Sequence, residues 1–202
     1  MPRDAGYAPG QFVTVSPPAG PIACQYLDAS GATIRAEMGT PSFASARIPV
    51  LTSKSEALDL ELQVGGRTLT VHCVSMGNPH AVFLVPRLDR ELLLELGPLL
   101  ETHALFPNRS NVQMASVKSR TALELEIWER GAGYTLASGT SSCAATAVCQ
   151  RLGLLDESVT VSMAGGQALV ERVGATLHLT GGVCPVFSGV AEPAWLEARG
   201  LL

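Results

Sequence analysis

Apolar and polar residues alternate in short stretches through the first half of the chain. The stretches are Gln11 to Val15, Ile22 to Leu27, Thr33 to Met38, Leu58 to Val64, Arg67 to Val74 and Ala81 to Val85. A period of two places successive side chains on opposite faces, so each stretch predicts a strand. Gly31 and Gly65-Gly66 fall at turn positions between them, and the half as a whole reads as hairpins and an antiparallel meander. Asp89 is placed to cap a short helix running to Leu96, which Gly97-Pro98 then interrupts.

The second half opens on another hairpin, Asn111 to Val117 with Thr121 to Trp128. There Leu123, Leu125 and Ile127 alternate with Glu124 and Glu126, giving one dry and one wet face. From Thr140 to Leu152 the period changes. Cys143, Ala144, Ala147, Val148 and Leu152 recur at helical spacing with few charges on any side, which predicts a buried helix with Gly153 as its C-cap. Strands follow at Val159 to Met163, Ala168 to Arg172 and Ala175 to Thr180, and Pro193 to Arg199 forms a last amphipathic turn. A small-residue helix bracketed by hairpins predicts an α+β fold, a curved and mostly antiparallel sheet wrapped around a central helix. Met1 to Gly10 has no evident packing role.

Composition narrows the function without naming it. With 202 residues, 47% of them hydrophobic and 16% charged, the chain can bury a sizeable core, which excludes disorder. The net charge of -4, with basic residues scattered singly, removes the electrostatic case for nucleic acid or an anionic membrane as partner. No apolar run approaches the roughly 20 residues that span a bilayer. The opening MPRDAGYAPGQ lacks the apolar core of an export signal, so the expected address is cytoplasmic. Five cysteines (Cys24, Cys73, Cys143, Cys149 and Cys184) without C-x-x-C spacing predict reduced thiols rather than disulfides or a zinc site. The only lysines, Lys54 and Lys118, lie outside any pocket-like context, which argues against a pyridoxal phosphate Schiff base and for chemistry with no cofactor.

Three constellations carry potential chemistry. Met76-Gly77-Asn78-Pro79-His80 is a tight turn entering an apolar strand. It offers a carboxamide and an imidazole whose ordinary titration lies near neutrality, or else an Asn-Pro turn with a satisfied histidine. Phe106-Pro107-Asn108-Arg109-Ser110-Asn111 offers carboxamides and a guanidinium able to fork onto a carboxylate, or an ordinary surface loop. The third is the most specific. Glu129-Arg130-Gly131-Ala132-Gly133 leads through Thr135 and Ala137 to Ser138, Gly139 and Thr140 at the entrance of the buried helix. Glycines there let a ligand approach the backbone, and the unpaired amides of a helix N-terminus attract a carboxylate or phosphate. Cys143 and Cys149 read as small core residues among alanines.

Together, the GNPH segment ending at His80, the FPNRSN segment ending at Asn111, and ERGAG followed by T-L-A-S-G-T and an alanine-rich helix resemble diaminopimelate epimerase in order and spacing. The likeness extends to the Ala36-Glu37-Met38-Gly39-Thr40-Pro41 turn and to Thr180-Gly181-Gly182. It implies two similar domains facing each other across a cleft. It also implies a cofactor-independent isomerase that inverts the α-carbon of LL-diaminopimelate to the meso form, a lysine and peptidoglycan precursor, with two cysteines as proton acceptor and donor. By the resemblance, Asn78 and Asn111 contact substrate, Glu129 and Arg130 hold its distal amino-carboxylate end, and Gly139 and Thr140 offer amides to the α-carboxylate. His80 and Glu129 assist the thiols.

The resemblance breaks at Ser138, which stands where the second catalytic cysteine is expected, and no C-G-N-G motif occurs for the first. The expected organisation is a remnant of a first domain over 1–46, a complete second domain over 47–185 and a return segment over 186–202. The expected ligand is a small amino acid, and apolar surface at a vacated interface would favour a homodimer. A racemase for another amino acid and a binding module without catalysis remain open alternatives at this stage.

Overall fold

A computed structural model describes residues 11–16, 20–187 and 189–201. The predicted Met1 to Gly10 segment lies outside the described residues. Three short strands come first, β1 (Phe12–Val15), β2 (Ile22–Tyr26) and β3 (Thr33–Gly39), and a 3₁₀ turn at Ser45–Arg47 follows. A run of three more, β4 (Leu60–Val64), β5 (Arg67–Ser75) and β6 (Pro79–Leu84), leads to helix α1 (Arg90–Glu101). Next come β7 (Asn111–Ser119), β8 (Ala122–Glu129), β9 (Gly133–Thr135) and helix α2 (Gly139–Arg151). The chain closes with β10 (Ser158–Met163), β11 (Gly166–Val173), β12 (Thr176–Gly182) and the short α3 (Pro193–Glu197).

The strands form one open sheet in the order β1-β2-β3-β12-β11-β10-β8-β7-β6-β5-β4, with β9 paired to β8. Most pairs are antiparallel, as the turn-rich sequence predicts. The exceptions are β6 with β7 and β8 with β10, which run parallel. Each parallel pair is joined through a helix, α1 between β6 and β7 and α2 between β8 and β10, because parallel neighbours need a crossover that a two-residue turn cannot supply. Within the first half every pair is antiparallel, as expected, but the meander is split in two, because β3 pairs with β12 and not with β4. The N-terminal strands continue the same sheet, since β3 pairs with β12 from Thr33↔Gly182 to Gly39↔Leu177.

Helix α2 packs against β5, β6, β7, β8, β10, β11 and β12, so the sheet curves around it. Its residues from Ser141 to Cys149 are all buried. Leu123, Leu125 and Ile127 of β8 join this core, as their alternation predicts. The second core lies on the other face of the β4 to β8 half, where Leu93, Leu96 and Leu100 of α1 meet Leu62, Val71, Phe83, Val112 and Met114. Strand β7 serves both cores, and its first six residues are buried.

Two local expectations change. Asp89 caps α1 as predicted, accepting from the Leu92 amide, but the helix runs through Gly97-Pro98 to Glu101. Gly97 is required there, because a Cβ would come within 2.8 Å of the Trp128 ring. Pro98 is accommodated inside the helix, and the Pro98 carbonyl accepts the Thr102 hydroxyl at 2.8 Å. Strand β9, three residues long, was beyond a periodicity argument. It exists because the glycine turn folds back onto the end of β8. No helix among the described residues is long and apolar enough to cross a membrane.

Candidate active site

The first turn of the site precedes β6. His80 is fully buried, and its Nε2–H donates to the Asn78 Oδ1 at 2.9 Å, which fixes the carboxamide. Burial pushes the imidazole down to about 3, and the nearby Arg130 charge adds to the effect, while the Gln113 side chain favours the charged form. The near-neutral titration expected of His80 is thereby corrected: it stays a neutral imidazole at pH 7. Gln113, itself fully buried, donates to the Ser141 hydroxyl at 3.0 Å and ties β7 to the first turn of α2.

Asn111 begins β7 directly beside His80 in the parallel ladder. Its carboxamide donates to the Pro79 carbonyl at 2.8 Å and accepts the Arg130 amide at 3.0 Å. One side chain thus links the turn before β6 to the turn after β8. That second turn, Glu129 to Gly133, is held at three successive amides. Arg130 donates to Asn111, Gly131 to the Glu101 carboxylate at 2.9 Å, and Ala132 to the Glu129 carbonyl at 3.1 Å. Gly131 has a φ of +77°, in the left-handed region that glycine adopts without cost. The Glu129 carboxylate accepts the Thr135 hydroxyl at 3.2 Å, and the exposed Arg130 guanidinium donates to the Asn108 carbonyl at 3.1 Å.

The third turn enters α2. Ser138 is the N-cap, and its hydroxyl accepts from the Ser141 amide at a long 3.5 Å. Its carbonyl receives both the Ser142 amide and the Ser142 hydroxyl. Among the described residues, the Gly139 and Thr140 amides have no acceptor, so they remain available to an anion at the positive end of the helix.

These turns border adjoining spaces. A cleft of about 680 Å³ is lined by Glu37, Met38 and Gly39 from β3, Met76 to Asn78, and Thr140, together with Thr14 of β1 and Ile22 and Ala23 of β2. Asn78 also lines a smaller pocket of about 170 Å³ with Arg47, Asn108 and Arg130. Ser138 and Gly139 face a separate space of about 270 Å³ beside Gly165, Gly166 and Gly181. The structure therefore brings Asn78, His80, Asn111 and Arg130 together, and sets Thr140 on the same cleft as Asn78. Ser138 lies two residues before Thr140 at the helix end, on the neighbouring space. Arg109, with a largely exposed side chain, pairs with the Glu101 carboxylate at 3.5 Å.

Sequence reasoning missed Glu101, Gln113 and Arg47. Glu101 had a readable signal. It falls eight residues after the buried Leu93 and four after Gly97, on the inward stripe of an amphipathic helix, where an acid is out of place. Its carboxylate is nine-tenths buried and accepts from the Trp128 indole N–H at 2.7 Å as well as from Gly131. Burial raises its pKa, but the Trp128 and Gly131 hydrogen bonds and the Arg109 charge outweigh that and leave it lowered. Gln113 and Arg47 sit in unremarkable local patterns and carried no such signal. The cysteines in α2 are core residues as read, and burial pushes both the Cys143 and Cys149 thiols up to about 12.

Comparison with known proteins bears on this arrangement. A family model described as "Diaminopimelate epimerase" matches residues 72–182, which contain all three turns. A protein named diaminopimelate epimerase 2 from Nostoc sp. is 42% identical over 76% of this chain and 54% of its own length. Diaminopimelate epimerases from Moorella thermoacetica and Cupriavidus metallidurans are each 37% identical, over 92% and 96% of this chain and 68% and 70% of theirs. The chain thus spans between about half and 70% of the length of these relatives. Among solved structures, a hydroxyproline epimerase from Agrobacterium vitis superposes with a TM-score of 0.64 at 15% identity, covering 88% of this chain and 60% of that one. A probable proline racemase from Agrobacterium radiobacter gives 0.63 at 14%, over 85% of this chain and 57% of that one. At such identities these two establish likeness of fold.

Proposed function

The chain belongs to the diaminopimelate epimerase family, and from that membership we propose that it is a diaminopimelate-directed isomerase acting at the α-carbon without pyridoxal phosphate. The observation that carries the reading is the α2 entrance, where two adjacent free amides sit at a helix N-terminus, Thr140 on the cleft it shares with Asn78 and Gly139 on the adjoining space. The α-carboxylate docks on the Gly139 and Thr140 amides. Negative charge that develops there as the α-proton leaves is stabilised by the same amides and by the helix dipole. Asn78, locked by His80, and Arg130 hold the distal amino-carboxylate end, with Glu129 available to its ammonium.

By the family likeness, Ser138 stands at the proton-transfer position, on the space that adjoins the Thr140 cleft. A serine hydroxyl is a far weaker acid than a thiol of pKa about 8.5, and the proton-transfer step is therefore slow in this chain while binding persists. The product, a meso amino acid of the lysine and peptidoglycan precursor class, follows from the substrate reading.

The test is to follow α-proton exchange of LL-diaminopimelate in deuterated water by NMR for the protein and for Ser138→Cys. Ser138→Cys is expected to raise exchange by about a hundredfold or more. Equal rates in the two proteins would remove Ser138 from the proposed step. Failure of meso-diaminopimelate to bind in calorimetry would overturn the substrate reading itself.

A further inference from the structure

The Glu129-Arg130 pair is bracketed by bonds to a single carboxylate. Glu101 Oε2 accepts the indole N–H of Trp128, the residue before the pair, at 2.7 Å, and Oε1 accepts the backbone N–H of Gly131, the residue after it, at 2.9 Å. Arg109 lies 3.5 Å from Oε1, and the Glu101 carbonyl accepts the Ser110 amide at 3.1 Å. The last residue of a helix is an unfavourable place for a negative charge, because the helix dipole is negative there. The buried carboxylate is retained against that field and against desolvation, and its donors come from both flanks of one turn. The geometry around it is correspondingly close. Gly97 has no Cβ because the Trp128 ring occupies that space, and this contact seats the indole where Glu101 can reach it.

We infer that Glu101 is a positioning residue that sets the Glu129-Arg130 turn for the distal carboxylate-bearing end of the ligand. The inference rests on the proposed function. Asn111 fixes the Arg130 amide and Glu101 fixes the Gly131 amide, so the direction in which both side chains leave the turn is determined by two buried groups from elements distant in sequence. The α2 entrance receives no hydrogen bond from Glu101, and the α-carboxylate subsite is independent of it.

That separation gives a selective readout. L-Lysine is diaminopimelate without the distal carboxylate, so it probes the α2 entrance without engaging the far end in the same way. Affinities of meso-diaminopimelate and L-lysine are measured by NMR titration of the full chain and of Glu101→Gln. A glutamine cannot accept at both atoms, so it loses either the Trp128 or the Gly131 bond. The expected result is about a tenfold loss of affinity for meso-diaminopimelate with L-lysine unchanged, together with an upfield move of whichever proton loses its acceptor, the Trp128 indole N–H or the Gly131 amide. Equal loss for both ligands, or no loss for either, overturns the positioning role. If Glu101→Gln does not fold, Trp128→Phe removes one of the two flanking donors while leaving the carboxylate in place. The same split between ligands, smaller in size, is expected of it, and its absence overturns the inference. A wild-type chain that binds neither ligand refutes the substrate reading instead, so the two failures are distinguishable.

Discussion

Helices α1 and α2 meet the candidate site by opposite ends and are built for different surroundings. Helix α2 is enclosed by strands on every side, and its buried run from Ser141 to Cys149 is made of small residues and one valine. Helix α1 lies on one face of the sheet with a single inward stripe, leaving Leu94 and Leu99 open to solvent. The first turn of α2 offers unpaired backbone amides, whereas the last residue of α1 offers a buried carboxylate aimed at the protein's own turn. The difference teaches that ligand-facing charge comes from the backbone at one helix and that turn geometry comes from a side chain at the other. A helix without room for long side chains has its main chain to work with, and a half-exposed helix can place an acid on its inward stripe.

The largest expected effect tests the enclosure. Ala147→Leu inserts volume into a helix with packed strands all around, and urea unfolding is expected to show a loss of about 3 kcal/mol. Leu99→Lys on the open face of α1 should stay within about 0.5 kcal/mol. Similar values for the two would break the contrast.

An intermediate effect tests the charged end. The Glu101 carboxyl is held below its ordinary value in the folded protein. Its contribution is therefore fully present above the unfolded carboxylate range near pH 4.5 and is lost as pH falls through the folded value. Hydrogen exchange should show the Gly131 amide losing protection on acidification while the Ser142 amide, bonded to the Ser138 carbonyl, keeps its own. Parallel loss at both would mean that acid loosens the structure generally rather than at α1.

The smallest effect sharpens the α2 side. The Ser138 cap is long, so Ser138→Ala should lower the melting free energy by only about 0.5 kcal/mol. A loss above 2 kcal/mol would show that the hydroxyl serves the fold far more than its geometry suggests.

The period-two stretches and the helical run from Thr140 were visible because each element's burial is written in its own side chains. The α2 entrance was visible too, since an N-cap serine followed by glycine and hydroxyls is local chemistry. The need for Gly97 inside α1 was not, because its reason lies in the Trp128 ring, thirty-one residues away in the chain. The neutral state of His80 was hidden for the same kind of reason: an imidazole's pKa depends on what surrounds it, and here burial acts together with Gln113 of β7 and Arg130 of the turn after β8.

The amino-acid sequence by itself determined which residues could carry chemistry and which faces had to be dry, because residue type, spacing and period act within a few positions. Only the tertiary structure decided that Asn111 and Glu101 hold the Glu129 to Gly133 turn, that Arg109 is occupied by Glu101, and that Ser138 faces a different space from Asn78. Each of those facts depends on segments far apart in the chain being brought within hydrogen-bond distance, and no local pattern encodes that approach.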